Sequence, residues 1–262
     1  MFNFLKSQDK SNLKVRLTKE RRLKQTFEKE GIEDPKTVTK LTIKGTVLRE
    51  DFRFIKKKMS KTLEELDLSE AAIEECKLKR GALSKCVALT SITIPNWITE
   101  IGESALANCI SLKSFTIPNS VIKIGELAFW CCKELSSITI PNSVTELDFR
   151  AFNNCTSLTS IVIPDSVVKI GGSAFGMCSG LTSITIPNSV TEIGNGAFLN
   201  CKNLKSIDIP KSVTKIGEWV FDGCDDIVIN VHPDNPVYKS EDGKLALKNP
   251  IQASNSKQDG EI

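Results

Sequence analysis

Pro95, Pro118, Pro141, Pro164, Pro187 and Pro210 stand 23 residues apart without a slip. Cys86, Cys109, Cys132, Cys155, Cys178, Cys201 and Cys224 keep the same interval. A fixed period of this length implies a solenoid, in which each repeat forms one coil stacked on the next. Such an array grows lengthwise and never builds one enlarging core, so 262 residues do not have to be divided into compact domains.

The coil that begins at Cys178 shows how one repeat folds. Apolar side chains fall at Leu181, Ile184, Ile186, Val190, Ile193, Ala197 and Phe198. The segment ending at Ile186 alternates and carries β-branched residues, which predicts a short strand. Pro187 has no N–H to give to a ladder and ends it. Asn188 and Ser189 turn the chain, and Val190 and Ile193 point back inside. Ala197, Phe198 and Cys201 read as an irregular or short helical turn packed inward. The repeated Phe129, Phe152, Phe175, Phe198 and Phe221, with the Ile column from Ile94 to Ile209, become the core when coils stack.

Seven of the nine cysteines occupy one position per coil. Equivalent Cα atoms in adjacent coils lie at the strand spacing of about 4.8 Å, which a disulfide could span. Their Cβ vectors run parallel, however, and seven is an odd number to pair. A column of small buried thiols is the expectation. A line of thiols cannot form the tetrahedron that zinc requires, and no C-x-x-C occurs. No metal or cofactor is expected.

The ends depart from the repeat, as capping units do. Val38, Leu41 and Ile43, and then Leu63, Leu66 and Leu68, repeat the strand phase at wider spacing. Leu48, Phe52, Ile55 and Met59 between them share one helical face, which predicts a strand–helix–strand cap over 36–82. The repeats run over 83–226. Ile227, Ile229 and Val231 read as losing the array's phase. Pro233-Asp-Asn-Pro236 turns the chain, and Asp242-Gly243 predicts a hairpin within a C-terminal cap at 227–247. Residues 248–262 are polar and aperiodic and are expected to be disordered. The first 35 residues are set apart as a basic arm or helix. Residues 1–61 carry 18 Lys and Arg against 8 Asp and Glu, whereas the remainder is net acidic.

The unit L-x-S-I-x-I-P-x-S-V-x-x-I-G-x-x-A-F-x-x-C closely resembles the BspA-like class of leucine-rich repeat across residues 83–224. The resemblance implies a mainly β to α/β, curved leucine-rich-repeat solenoid. It would carry one parallel strand per 23-residue coil and short irregular or helical convex segments. It also implies a protein-binding module, in some members a surface adhesin, and supplies no catalytic residue. Leu147-Asp148 in place of Ile-Gly, and Trp97 in place of the turn Ser, depart from the unit.

Two rows of outward strand positions are the first candidate site for a protein partner. One row holds Ser91, Ser114, Ser137, Ser160, Ser183 and Ser206. The other holds Thr93, Thr116, Thr139, Val162, Thr185 and Asp208. They could dock an extended partner, or simply suit a solvated sheet. The second candidate is the basic arm, with Arg16, Lys19, Arg21, Arg22 and Lys24. It could serve an intracellular scaffold or regulator that binds an acidic partner or nucleic acid. Phe27 is the one aromatic residue within the basic segment Lys14–Lys29, so base stacking is disfavoured. Trp97, Trp130 and Trp219 vary between coils, and of these Trp219 is expected to be partly packed.

His232 is the only histidine and lies beyond the array, so no Ser-His or Cys-His pair can form within the repeats. No phosphate-binding glycine motif is present, and no enzymatic activity is expected. No segment reaches the roughly 18 apolar residues of a membrane span. The start at Met1 lacks the apolar core of a secretory signal, so the chain as written is expected in the cytoplasm, as a monomer. A start further upstream would make the cell surface the expected location.

Overall fold

The computed structural model describes residues 10–249. Its coils are tied together by three ladders of backbone hydrogen bonds. The first is the expected one, built from parallel strands such as Ser114–Thr116, Ser137–Thr139, Ser160–Val162 and Ser183–Thr185. Register is kept residue for residue, with Ser114 opposite Ser137 and Ile161 opposite Ile184. The middle residue of each strand is buried and its two neighbours are exposed, as a pleat with one solvated face requires.

The structure adds a second strand to every coil. Two-residue segments such as Glu100–Ile101, Lys123–Ile124 and Lys169–Ile170 form a parallel sheet of seven, running from Lys77–Leu78 to Lys215–Ile216. The third ladder runs through the segment read from sequence as irregular or helical. It is a chain of tight turns and contains no helix. Alternate amides close the turns, as Ala105 N–H does on Gly102 and Ala107 N–H on Ser104. The amides between them reach the next coil: Ser104 N–H to Glu126 O at 2.8 Å, Leu106 to Ala128 at 2.9 Å and Asn108 to Trp130 at 2.7 Å. Two left-handed residues per coil aim these groups, for example Ser104 and Asn108, or Arg150 and Asn154.

Side chains fill the space between the ladders. Phe129, Phe152, Phe175, Phe198 and Phe221 stack with centroids 5.3 to 5.9 Å apart and planes within 6°. Cys109, Cys132, Cys155, Cys178, Cys201 and Cys224 each donate a thiol hydrogen bond to a carbonyl of the preceding coil, at 3.1 to 3.3 Å. All nine cysteines are free thiols, and only Cys76 is exposed. The turn serines have a defined task as well: Ser120, Ser166 and Ser189 donate to the carbonyls of Ile98, Val144 and Val167.

From residue 12 onward the basic N-terminal segment is a strand and a helix packed on the solenoid, not a free arm. Strand β1 (Asn12–Leu17) pairs in parallel with β2 (Lys40–Val47), and β2 pairs with β3 (Glu65–Asp67), which adjoins Ser91–Thr93. Helices α1 (Leu23–Lys29) and α2 (Arg49–Met59) close this end. Val15 and Leu17 are buried because β1 alternates them with charged Lys14 and Arg16, and α1 buries Leu23 and Phe27. The Asp51 carboxylate is 1 % exposed and ties both helices together. It accepts from Leu23 N–H at 2.8 Å, from Leu48 N–H at 2.9 Å and from the Arg22 guanidinium.

At the other end the strand phase is kept, contrary to the sequence reading. Val228–Val231 pairs in parallel with Ser206–Ile209, with Ser206 opposite Val228. The step there is one residue shorter, which hid the continuity. Asn235 is fully buried and fully satisfied. Its amide donates to Pro210 O and Val213 O, and its oxygen accepts from Val237 and Tyr238 N–H. Strands Tyr238–Glu241 and Lys244–Leu247 form a hairpin, and the Tyr238 hydroxyl accepts from Ile216 N–H at the end of the second sheet. The expected disordered tail lies outside the described residues from 250 onward.

Candidate binding surface

The two predicted rows lie on the exposed face of the first ladder. Ser91, Ser114, Ser137, Ser160, Ser183 and Ser206 are exposed, as are Thr93, Thr116, Thr139, Thr185 and Asp208. Val162, in the middle of the threonine row, is 73 % exposed. The hydroxyls of these rows make no hydrogen bond to any described residue. Neighbouring rows behave otherwise: Thr90, Ser136 and Thr182 each donate to a carbonyl one coil earlier. The chain therefore carries structural hydroxyls and unpaired ones side by side, and sequence alone does not separate them. Asp208 is the exception, since it accepts from Asn230 at 2.8 Å.

Register extends this face into the N-terminal cap. Lys14 sits opposite Thr42, Thr42 opposite Asp67, and Asp67 opposite Thr93. Arg16 is paired with Lys44 and is exposed. Of the five basic residues singled out in the sequence, Arg16 thus lies at one end of the strand surface. Lys19 and Arg21 are exposed in the connection to α1. Lys24 projects from α1 and pairs with Glu28 at 3.8 Å. Arg22 is removed from any outward role, because it is held by Asp51 and Glu50 and by the carbonyls of Thr18 and Thr46.

The remaining candidates sort by exposure. Trp219 is 65 % exposed, contrary to the expectation that it packs, and holds a left-handed backbone at φ 55°. It stands across a trough from Phe149, with Gly172, Ser173, Asn195 and Gly196 between them. The sequence offered no signal for this trough, since the positions that build it differ in every coil. His232 Nδ1 accepts from Asp234 N–H at 3.1 Å and shapes the turn. Among the described residues no cluster of His, Cys, Asp and Glu could hold a metal, and no helix is long and apolar enough to cross a membrane.

Comparison with known proteins agrees with this geometry. The pattern described as BspA type Leucine rich repeat region matches residues 76–179 and 149–241, in six copies. No curated protein matches the sequence. Among solved structures, a leucine-rich repeat protein of T. pallidum is 36% identical, covering 55% of this chain and 66% of that one, with a TM-score of 0.50. A leucine-rich repeat protein from Bacteroides ovatus is 26% identical over 75% of this chain and 56% of its own, at 0.51. The pneumococcal vaccine antigen PcpA is 28% identical over 60% and 40%, at 0.50. This chain spans less than two thirds of the length of each of these three. The family is a repeat scaffold whose members generally bind proteins, and no enzyme family is indicated. With the repeat pattern matched over more than half of its length, the chain belongs to the BspA type leucine-rich repeat family.

Proposed function

We propose that this chain is a non-catalytic protein-binding module whose docking surface is the exposed face of the first ladder. The observation that supports this reading is the double row of hydroxyls without a hydrogen-bond partner among the described residues, interrupted by the exposed Val162. An extended partner can satisfy several of these hydroxyls at once. Each coil offers only small side chains, so the partner contacts several coils together. An adhesive role at a cell surface takes its support from the relative that is a pneumococcal vaccine antigen.

The test is a comparison of what the full chain and its Thr116→Arg/Thr139→Arg variant retain from host and bacterial extracts. Both positions are exposed, so the variant keeps its fold and places two bulky charges on the surface. Proteins held by the parent and released by the variant support the strand face. Equal retention by both removes it.

A second reading uses the basic end of the same face for an acidic partner or nucleic acid, as an intracellular scaffold would. Lys14 and Arg16 are exposed there and make no ion pair with any described residue. Deleting residues 1–35 would also remove β1 and α1 from the cap. Lys14→Glu/Arg16→Glu is therefore the clean test. Loss of binding in that variant alone, with steep salt dependence, favours the second reading.

A further inference from the structure

A narrow cleft separates α2 from the first coil, away from the strand face. Val47, Phe52, Ile73 and Ala82 form its apolar side. Six cations line it against one carboxylate, Glu74. Four of these cations are already engaged. Lys77 meets Glu100 at 2.8 Å, Lys79 meets Glu74 and Glu75 at 2.9 Å, and Arg80 meets Glu103 at 2.9 Å. Lys56 donates to Gly81 O at 2.6 Å.

Arg49 and Arg53 are left over. Neither makes a hydrogen bond or ion pair with any described residue. Their placement is unfavourable on two independent counts. They are like charges at i and i+4 on one helix, which repel. Arg49 is also the first residue of α2, where the helix dipole disfavours a cation. The acids of that turn, Glu50 and Asp51, are turned to Arg22 and offer no relief. An anion lying between the two guanidinium groups would reverse both penalties, and guanidinium binds carboxylate and phosphate through paired hydrogen bonds.

We propose that this cleft is a site for a small organic anion. The acid head would lie between Arg49 and Arg53, with a compact apolar body against the exposed edges of Phe52, Ile73 and Ala82. Charge complementarity selects the head, and the narrow apolar side selects a body of about one ring or a short branched chain.

The test is thermal unfolding and titration calorimetry of the full chain with sodium benzoate, at ionic strength held constant with sodium chloride. Benzyl alcohol and inorganic phosphate are run in parallel. Benzoate is expected to raise the unfolding midpoint and bind saturably at one site. Benzyl alcohol, which lacks the charge, and phosphate, which lacks the ring, are expected to bind at least about tenfold more weakly. In Arg49→Gln/Arg53→Gln the benzoate effect disappears, while the variant without ligand unfolds at the same or a higher temperature, because the charge conflict has gone. Three results would overturn the proposal. One is the absence of saturable benzoate binding. Another is benzoate binding unchanged in the double variant. The third is phosphate matching benzoate, which would remove the apolar half of the site.

Discussion

The thiol of Cys178 donates a hydrogen bond to the backbone carbonyl of Phe152, 3.1 Å away in the preceding coil. The same contact recurs from Cys109 to Cys224, so the cysteine column is a ladder of polar contacts inside an apolar core. Burial alone would be served by alanine or valine. The Phe152 carbonyl already accepts from Cys155 N–H at 3.3 Å, so the thiol supplies its second hydrogen bond and gives the position a reason to keep a donor. Cys178→Ala is expected to lose about 1–3 kcal/mol in chemical denaturation. Cys178→Ser, which keeps a donor, should lose less. The reverse order would show that volume, not the hydrogen bond, sets the cost.

Burial pushes the thiols of Cys86, Cys132 and Cys178 up to about 12 from the ordinary 9.0, and Cys109 and Cys155 well above it. The unfolded chain releases these protons near pH 9, and the folded chain keeps them to higher pH. Stability from this source is complete below pH 9 and falls as pH rises towards 12. Urea midpoints measured from pH 7 to 11 should decline above about 9. In native protein at pH 8, iodoacetamide should modify Cys76 rapidly and the buried column slowly, with all nine reacting once the chain is unfolded.

Phe175 is wholly buried between Phe152 at 5.6 Å and Phe198 at 5.7 Å. Phe175→Ala removes a ring with neighbours on both faces and should cost about 3–5 kcal/mol by equilibrium denaturation. A loss below about 1 kcal/mol would mean that the stack contributes little.

Asp51 supports the whole N-terminal cap, since three donors from two helices and their connection converge on it. Asp51→Ala removes the buried carboxylate that Arg22 pairs with, leaving it the exposed Glu50 alone as counter-charge, and leaves two amide groups without acceptors. We expect a loss of about 3–5 kcal/mol. Hydrogen exchange should quicken in β1 and α1 well before it does in the central coils. Uniform exchange along the chain would count against the cap as a separate unit.

The repeat could be read from sequence because its information is duplicated. Pro187 ends a strand in the same way that Pro164 does, and the Phe and Cys columns follow from phase alone. The turn ladder escaped notice because geometry, not residue type, defines it. One of its two left-handed positions holds Ser104, Leu127, Arg150, Ser173, Gly196 and Trp219, which follow no pattern of side-chain chemistry, and the other holds Asn in only three coils, Asn108, Asn154 and Asn200. The fold of residues 12–29 was obscured by charge. Leu13, Val15 and Leu17 do alternate as a strand should, but Lys14, Arg16, Lys19 and Arg21 dominate the composition. The link from Arg22 to Asp51 crosses 29 positions and has no local trace. On the strand face, sequence placed the hydroxyls correctly but did not distinguish the rows that bind neighbouring carbonyls from the rows left unpaired.

Strand register between central coils pairs each residue with its counterpart in the adjacent coil, and the thiol links recur at one fixed offset. Excising any 23 consecutive residues from the array would therefore bring together two cut surfaces that already match. Gene segments encoding such near-identical units are prone to gain or lose whole copies by unequal recombination. Each event would lengthen or shorten the molecule by one step of about 4.8 Å and leave its cross-section unchanged. Reach is thus a heritable variable in this architecture, adjustable without redesigning a single contact, while the two ends remain fixed fittings outside the count.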